Sequence, residues 1–157
     1  MNGLSAEELL SLLGLAGTDA SVTRVLQELE QRVDLEGGRS TAIAAPRQGI
    51  GLRFSAAETL PGLGSGVGPS TLVVACVFFY APGHAGHVGF SSALPYGLRF
   101  AQSRAEVRAL LGDPDWSATK RNNDRWDFER QYLTVDFTPD ERSSRLVSVG
   151  LPWRTES

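Results

Sequence analysis

The stretch Leu72 to Ala81 (LVVACVFFYA) is an unbroken apolar run, and it lies within 40 consecutive residues, 59–98, that contain no Lys, Arg, Asp or Glu. It is about half of the roughly 20 residues a membrane-spanning helix needs. Its Val and Phe content is that of a strand, and a strand with no polar alternation is buried on both faces. Residues 71–81 are therefore expected at the centre of a sheet. The remainder of this 157-residue chain has to cover that strand, a task for one ordinary domain, residues 1–157.

Further strands read from period-two alternation. Residues 41–54 (TAIAAPRQGIGLRF) give two short strands around a Pro-Arg-Gln-Gly turn, with Ile50, Leu52 and Phe54 facing one way. Near the C-terminus, Trp126 and Phe128 alternate with Asp127, and Leu133, Val135 and Phe137 alternate with Thr134 and Asp136. Thr138 to Glu141 supplies a turn, and Leu146, Val147 and Val149 belong to a return strand.

Three helices are marked by their caps. Ser5 with Glu8, and Ser103 with Glu106, have the spacing in which each side chain satisfies a free N–H of the first turn. The first helix spans 5–13 and stops at Gly14; the third spans 103–111, with Val107, Leu110 and Leu111 inward, and breaks at Gly112-Asp113-Pro114. The second begins near Asp19 or Ser21, carries Val22, Val25, Leu26 and Leu29, and ends before Gly37-Gly38. Leu9 and Leu13 are expected against the sheet with Val107, Leu110 and Leu111.

An internal repeat is expected. Laying Phe54 on Phe137 places Ile43 on Trp126, Gln48 on Gln131, Ile50 on Leu133 and Leu52 on Val135. The expected fold is α+β: an antiparallel sheet from two tandem helix–meander units, about 19–90 and 94–152, helices on one face, with 1–14 an extra N-terminal helix. The glycine-rich segment Pro61 to Pro69 joins strands as a flexible connection. It lacks the Gly-Lys-Ser/Thr ending of a phosphate loop.

Composition excludes several function classes. A net charge of −3, with Lys120 the only lysine among 15 basic residues, gives no positive footprint for nucleic acid. One cysteine, Cys76, cannot form an internal disulfide or a multi-cysteine metal site, and its place in the apolar run predicts an inert, buried thiol. His84 and His87 lie among Gly83, Gly86 and Gly89, which predicts a polar loop without a third ligand. The acids Asp113, Asp115, Asp124, Asp127, Glu129 and Asp136 match no hydrolase spacing and read as solvated surface. No catalytic residue, metal or cofactor is expected. The acidic N-terminus lacks the basic start of a secretory signal, so the expected location is the cytoplasm, with no membrane partner.

Residues 94–149 resemble the BamE-like (SmpA/OmlA) α+β unit, through Gly97, Ser103, Glu106, Val107, Leu111, Gly112, Pro114, Trp126, Phe128, Val135 and Phe137. There is no lipobox cysteine, so an outer-membrane role is not implied. Phe79-Tyr80-Ala81, Leu94 to Phe100 and Ser103 to Gly112 are also similar to small cytoplasmic bacterial proteins read as immunity partners of secreted or polymorphic toxins. These motifs specify fold better than function.

The segment Gly112 to Arg125 (GDPDWSATKRNNDR) reads as a long polar loop with an aromatic amid mixed charge, which is the composition of protein-recognition hot spots. The expected partner-contacting residues are Asp113, Asp115, Trp116, Arg121, Asp124 and Arg125. Trp153 either secures the C-terminus or anchors a partner. The resemblance implies an immunity protein binding a cognate toxin, which its mild acidity would suit if that toxin were basic, such as a nuclease. The alternatives are an adaptor or chaperone for a secreted effector, or a small-molecule-binding regulatory domain.

Overall fold

A computed structural model describes residues 3–36, 38–61, 63, 67–118, 120 and 122–152. Gly37, residues 62 and 64–66 of the glycine-rich connection, Arg121 and Trp153 lie outside the described residues. Seven strands form one open antiparallel sheet: β1 (Ser40–Ala45), β2 (Ile50–Ala56), β3 (Leu72–Tyr80), β4 (Trp116–Ala118), β5 (Asn123–Asp127), β6 (Tyr132–Phe137) and β7 (Ser144–Gly150). Their order is β1-β2-β3-β7-β6-β5-β4. Two meanders thus meet along a central β3–β7 seam, where Val77 pairs with Val149 and Cys76 with Gly150. Both inner strands of the meanders shift register just before a buried phenylalanine, at Arg53/Phe54 and at Asp136/Phe137. The pairing of the outer strands differs: Ile43 faces Leu52, whereas Trp126 faces Leu133. The equivalence of Ile43 with Trp126 is therefore corrected by two residues.

The helices are α1 (Ala6–Leu10), α2 (Ala20–Glu28) and α3 (Arg104–Leu111). Ser5–Glu8 and Ser103–Glu106 close as reciprocal capping boxes, and Asp19 caps α2 by accepting from the Ser21 N–H at 2.8 Å. Leu9, Val22, Val25 and Val107 pack with Leu52, Phe54, Phe79, Leu133, Val135 and Phe137 in one core. That core lies on one face of the sheet. On the other face, Leu60, Leu63, Val67 and Leu151 cover Val73 and Ala75 at one end of β3 only. The central strand is thus enclosed on both sides for half its length, and Phe78 and Tyr80 remain half-buried. No helix among the described residues is long and apolar enough to cross a membrane.

Two inward assignments are corrected. Leu110 is 50% exposed, because α3 is rotated to deliver Arg104 and Arg108 to the sheet. At 100° per residue, the face holding Arg104, Val107, Arg108 and Leu111 turns Leu110 away. Phe128 is also exposed: β5 ends at Asp127, the alternation ends with it, and the ring stacks on Tyr96 at 4.8 Å. Leu110→Ala is accordingly expected to change stability by no more than about 0.5 kcal/mol. Val107→Ala, which empties a fully buried site, is expected to cost about 2 kcal/mol. Urea unfolding of both variants checks the helix orientation; an equal loss at the two positions would reject it.

Candidate functional site on the open sheet face

Alternation sends Arg53, Phe78, Thr134, Asp136, Leu146 and Ser148 to the face opposite the helices, because their neighbours in each strand fill the core. With Cys76, Trp116, Asn123, Arg125, Asp127 and Tyr132 they line a groove of about 680 Å³. Six strands contribute, β2 to β7, and β4 closes the outer end.

Tyr132 organises the floor. Its side chain lies across β7, which is possible because residue 150 is glycine: a Cβ there would sit 2.6 Å from the Tyr132 hydroxyl. The hydroxyl donates to Cys76 Sγ at 3.7 Å and accepts from Arg53 Nη2 at 3.3 Å. Arg125 lies over the same ring, 4.4 Å from its centroid, and Arg53 lies over Phe78 at 5.9 Å. Two guanidinium groups from strands at opposite ends of the groove therefore meet on one phenol. Burial raises the Tyr132 hydroxyl well above the usual tyrosine range, with Cys76 adding to the rise, and pushes the Cys76 thiol up to about 11. Both stay neutral at physiological pH, and the thiol is not a nucleophile there.

The segment expected to be a loop is a hairpin at the sheet edge, where Trp116 pairs with Arg125 and Ser117 with Asp124. This pairing sorts the sequence candidates by face. Trp116, 54% exposed, and Arg125 face the groove, and Arg125 Nε donates to Asp127 at 2.7 Å. Asp115 accepts from the Asp127 N–H at 2.8 Å and so fixes the rim, while Asp113 is exposed beside it. Arg121 lies outside the described residues.

Asp124 is the correction. It faces the core and is fully buried. Its carboxylate accepts from Arg104 Nη2 at 2.6 Å, Arg108 Nε at 2.8 Å and Ser117 Oγ at 2.7 Å. Arg104 also donates to Glu141 at 2.6 Å. Burial would raise the Asp124 carboxyl, but the hydrogen bonds from Arg108, Arg104 and Ser117 outweigh it and hold it far below the usual carboxylate range. An acid surrounded by Arg residues 16 and 20 positions away in sequence anchors α3 to β5. It is not available to a partner.

Of the remaining acids, Asp127 and Asp136 line the groove and Glu129 is exposed in the β5–β6 turn. His87 departs from the polar-loop expectation: it is 5% exposed and stacks flat on Tyr80 at 3.6 Å. Burial lowers its proton affinity. Among the described residues no group of three His, Cys, Asp or Glu is placed to hold a metal ion.

The groove was missed by sequence reading because its parts come from six strands. The signal available was Arg53, a charge set between Leu52 and Phe54 in a strand that reads as apolar. No protein-family model, curated protein or solved structure matches this chain.

Proposed function

We propose that the protein is a non-catalytic immunity protein, which neutralises a cognate bacterial toxin by stoichiometric binding through the open face of its sheet. The observation carrying this reading is the half-exposed Trp116 beside Arg125 and Tyr132 on a sheet face that the helices leave uncovered. Trp, Tyr and Arg are the residues in which interface energy concentrates. An ordinary solvated sheet face would instead carry short polar side chains. The contact set is Trp116, Arg125 and Asp127, extended by Asp113 and Asp115 at the rim. We also read the fold as two tandem BamE-like helix–meander units, supported by the mirrored meanders and by the matching register shifts before Phe54 and Phe137.

A second reading has its own observation. A groove of about 680 Å³ is within the size of small-ligand sites, roughly 300–1,000 Å³, which favours a ligand-binding regulatory domain. Titration against the product of an adjacent toxin gene separates the two. Trp116→Ala is expected to weaken toxin binding by more than about 1 kcal/mol while the unfolding midpoint stays unchanged. If the protein cannot protect cells expressing that toxin, the immunity reading fails.

A further inference from the structure

We infer that the free edge of β1 is a dimerisation surface, on which a second copy of this chain adds its own β1 antiparallel about a two-fold axis, whatever the groove binds. The Ala56 N–H donates to the Arg39 carbonyl at 2.8 Å, and the β1–β2 register runs without a shift from Ser40↔Ser55 to Ala45↔Ile50. Hydrogen bonding alternates along an antiparallel pair, so Thr41, Ile43 and Ala45 bond to β2 while Ser40, Ala42 and Ala44 turn their N–H and C=O groups outward. Those outward groups have no backbone partner among the described residues, and all three residues are exposed.

A free edge joins other chains unless it is short, charged, kinked or covered. β4, at the opposite end of the sheet, is three residues long and carries the bulky, exposed Trp116. β1 has six residues, Ser-Thr-Ala-Ile-Ala-Ala, with no charge and no proline, and Ser40, Ala42 and Ala44 are too small to hold a second backbone away. The ends of the strand select the register. Placing Ala42 opposite Ala42 of the second copy sets Ser40 opposite Ala44, and every outward group of both strands is then bonded. A slip one way sets Ser40 opposite Pro46, which has no N–H. A slip the other way sets Ala44 opposite Gly38, whose φ of +129° takes it out of the strand. The unslipped pairing also lays Thr41 beside Ile43 on the helix side, covering the open flank of an isoleucine that packs only partly into the core. Charge agrees: Arg39 is neutralised by Glu58 at 3.0 Å, Asp34 and Glu36 precede the strand and Arg47 follows it, so the acidic end of each copy meets the basic end of the other. Such a self-complementary contact closes at two copies. Its axis stands perpendicular to the sheet, so both grooves lie on one side of a continuous sheet.

The test is sedimentation of the full-length chain from about 1 μM to about 1 mM, with the pairing followed by amide hydrogen exchange. A strand pair of this length buries less than a standard interface, so a dissociation constant of about 10–100 μM is expected. Exchange at the Ala42 and Ala44 amides is expected to slow as concentration rises through that range. Ala42→Lys and Ala42→Glu each set like charges opposite one another on the axis, and each is expected to weaken the dimer about fivefold. Mixing the two variants is expected to restore it, because an ammonium then faces a carboxylate. Position 42 is exposed, so unfolding midpoints should not move; if a variant fails to fold, exchange at Ala42 and Ala44 in the unaltered chain decides alone. A chain that stays monomeric to about 1 mM overturns the inference. So does a dimer that neither variant weakens, or a mixture no tighter than either variant alone. Protection of the Ala42 amide only by added toxin would assign the edge to that partner and overturn the dimer. Failure of toxin protection with dimerisation intact would reject the immunity reading and keep the dimer.

Discussion

Replacing Asp124 with alanine is expected to cost about 3–5 kcal/mol, because it leaves the nearly buried Arg104 without its principal counter-charge. That is a large share of the 5–15 kcal/mol that holds a domain of this size together. Buried ion pairs as such are weak evidence of stability, since desolvation offsets most of the attraction. The prediction rests on the asymmetry between keeping both partners and removing one. Arg104 has Glu141 as a second partner, but Glu141 is half-exposed and holds only one nitrogen of the fork. A pH dependence accompanies this. The folded Asp124 carboxyl is held below its unfolded value, so its contribution is complete above the ordinary aspartate range and is lost as pH falls through it. Stability should decline below about pH 5 in the unaltered protein, and less steeply in Asp124→Asn. Guanidinium unfolding across pH 3–7 measures both effects; parallel curves for the two proteins would remove Asp124 as the titrating group.

Gly49→Ala is expected to be about as damaging, at about 3–5 kcal/mol, for steric reasons. Gly49 closes the β1–β2 turn with φ +70°, and a Cβ there would fall 2.2 Å from the backbone nitrogen of Phe90 and 2.4 Å from the carbonyl carbon of Gly89. Neither neighbour is the end of a flexible side chain. The Gly89–Phe90 segment would have to lift, drawing Phe90 off Phe79, where the rings meet edge-on at 4.8 Å. The same segment carries His87 on Tyr80. Chemical denaturation with an unchanged slope and a lower midpoint is the expected result. A loss below about 1 kcal/mol would mean that the loop can yield at little cost.

What could be read from the sequence was what is local. Capping boxes are closed within four residues, so Ser5–Glu8 and Ser103–Glu106 announce α1 and α3 unaided. The alternation of Ile50, Leu52 and Phe54, and of Leu133, Val135 and Phe137, gave both the strands and their inward faces. The rotation of α3 was not legible, because Arg104 and Arg108 outrank Leu110 only once Asp124 is known to lie beneath them. The same separation misassigned Asp124 to the surface, since an acid among Asn122, Asn123 and Arg125 carries no local mark of burial. Trp116 and Arg125 were found from composition. Their counterparts Arg53, Phe78 and Tyr132 were not, since that cluster exists only after β2, β3 and β6 are laid side by side.

The β3–β7 seam has a consequence for biosynthesis. β7 is the last of the seven strands to leave the ribosome, yet it occupies the middle of the sheet, between β3 and β6. Until residues 144–150 arrive, the Cys76–Tyr80 half of the apolar strand can pair with β2 only, because Gly14–Gly17 bond just its first residues, Leu72–Val74, on the other side. The second half of its other edge stays open until β7 is made. An unpaired apolar edge is a template for joining other chains. The nascent protein is therefore most vulnerable to aggregation just before β7 emerges, while half of its central strand still lacks a neighbour.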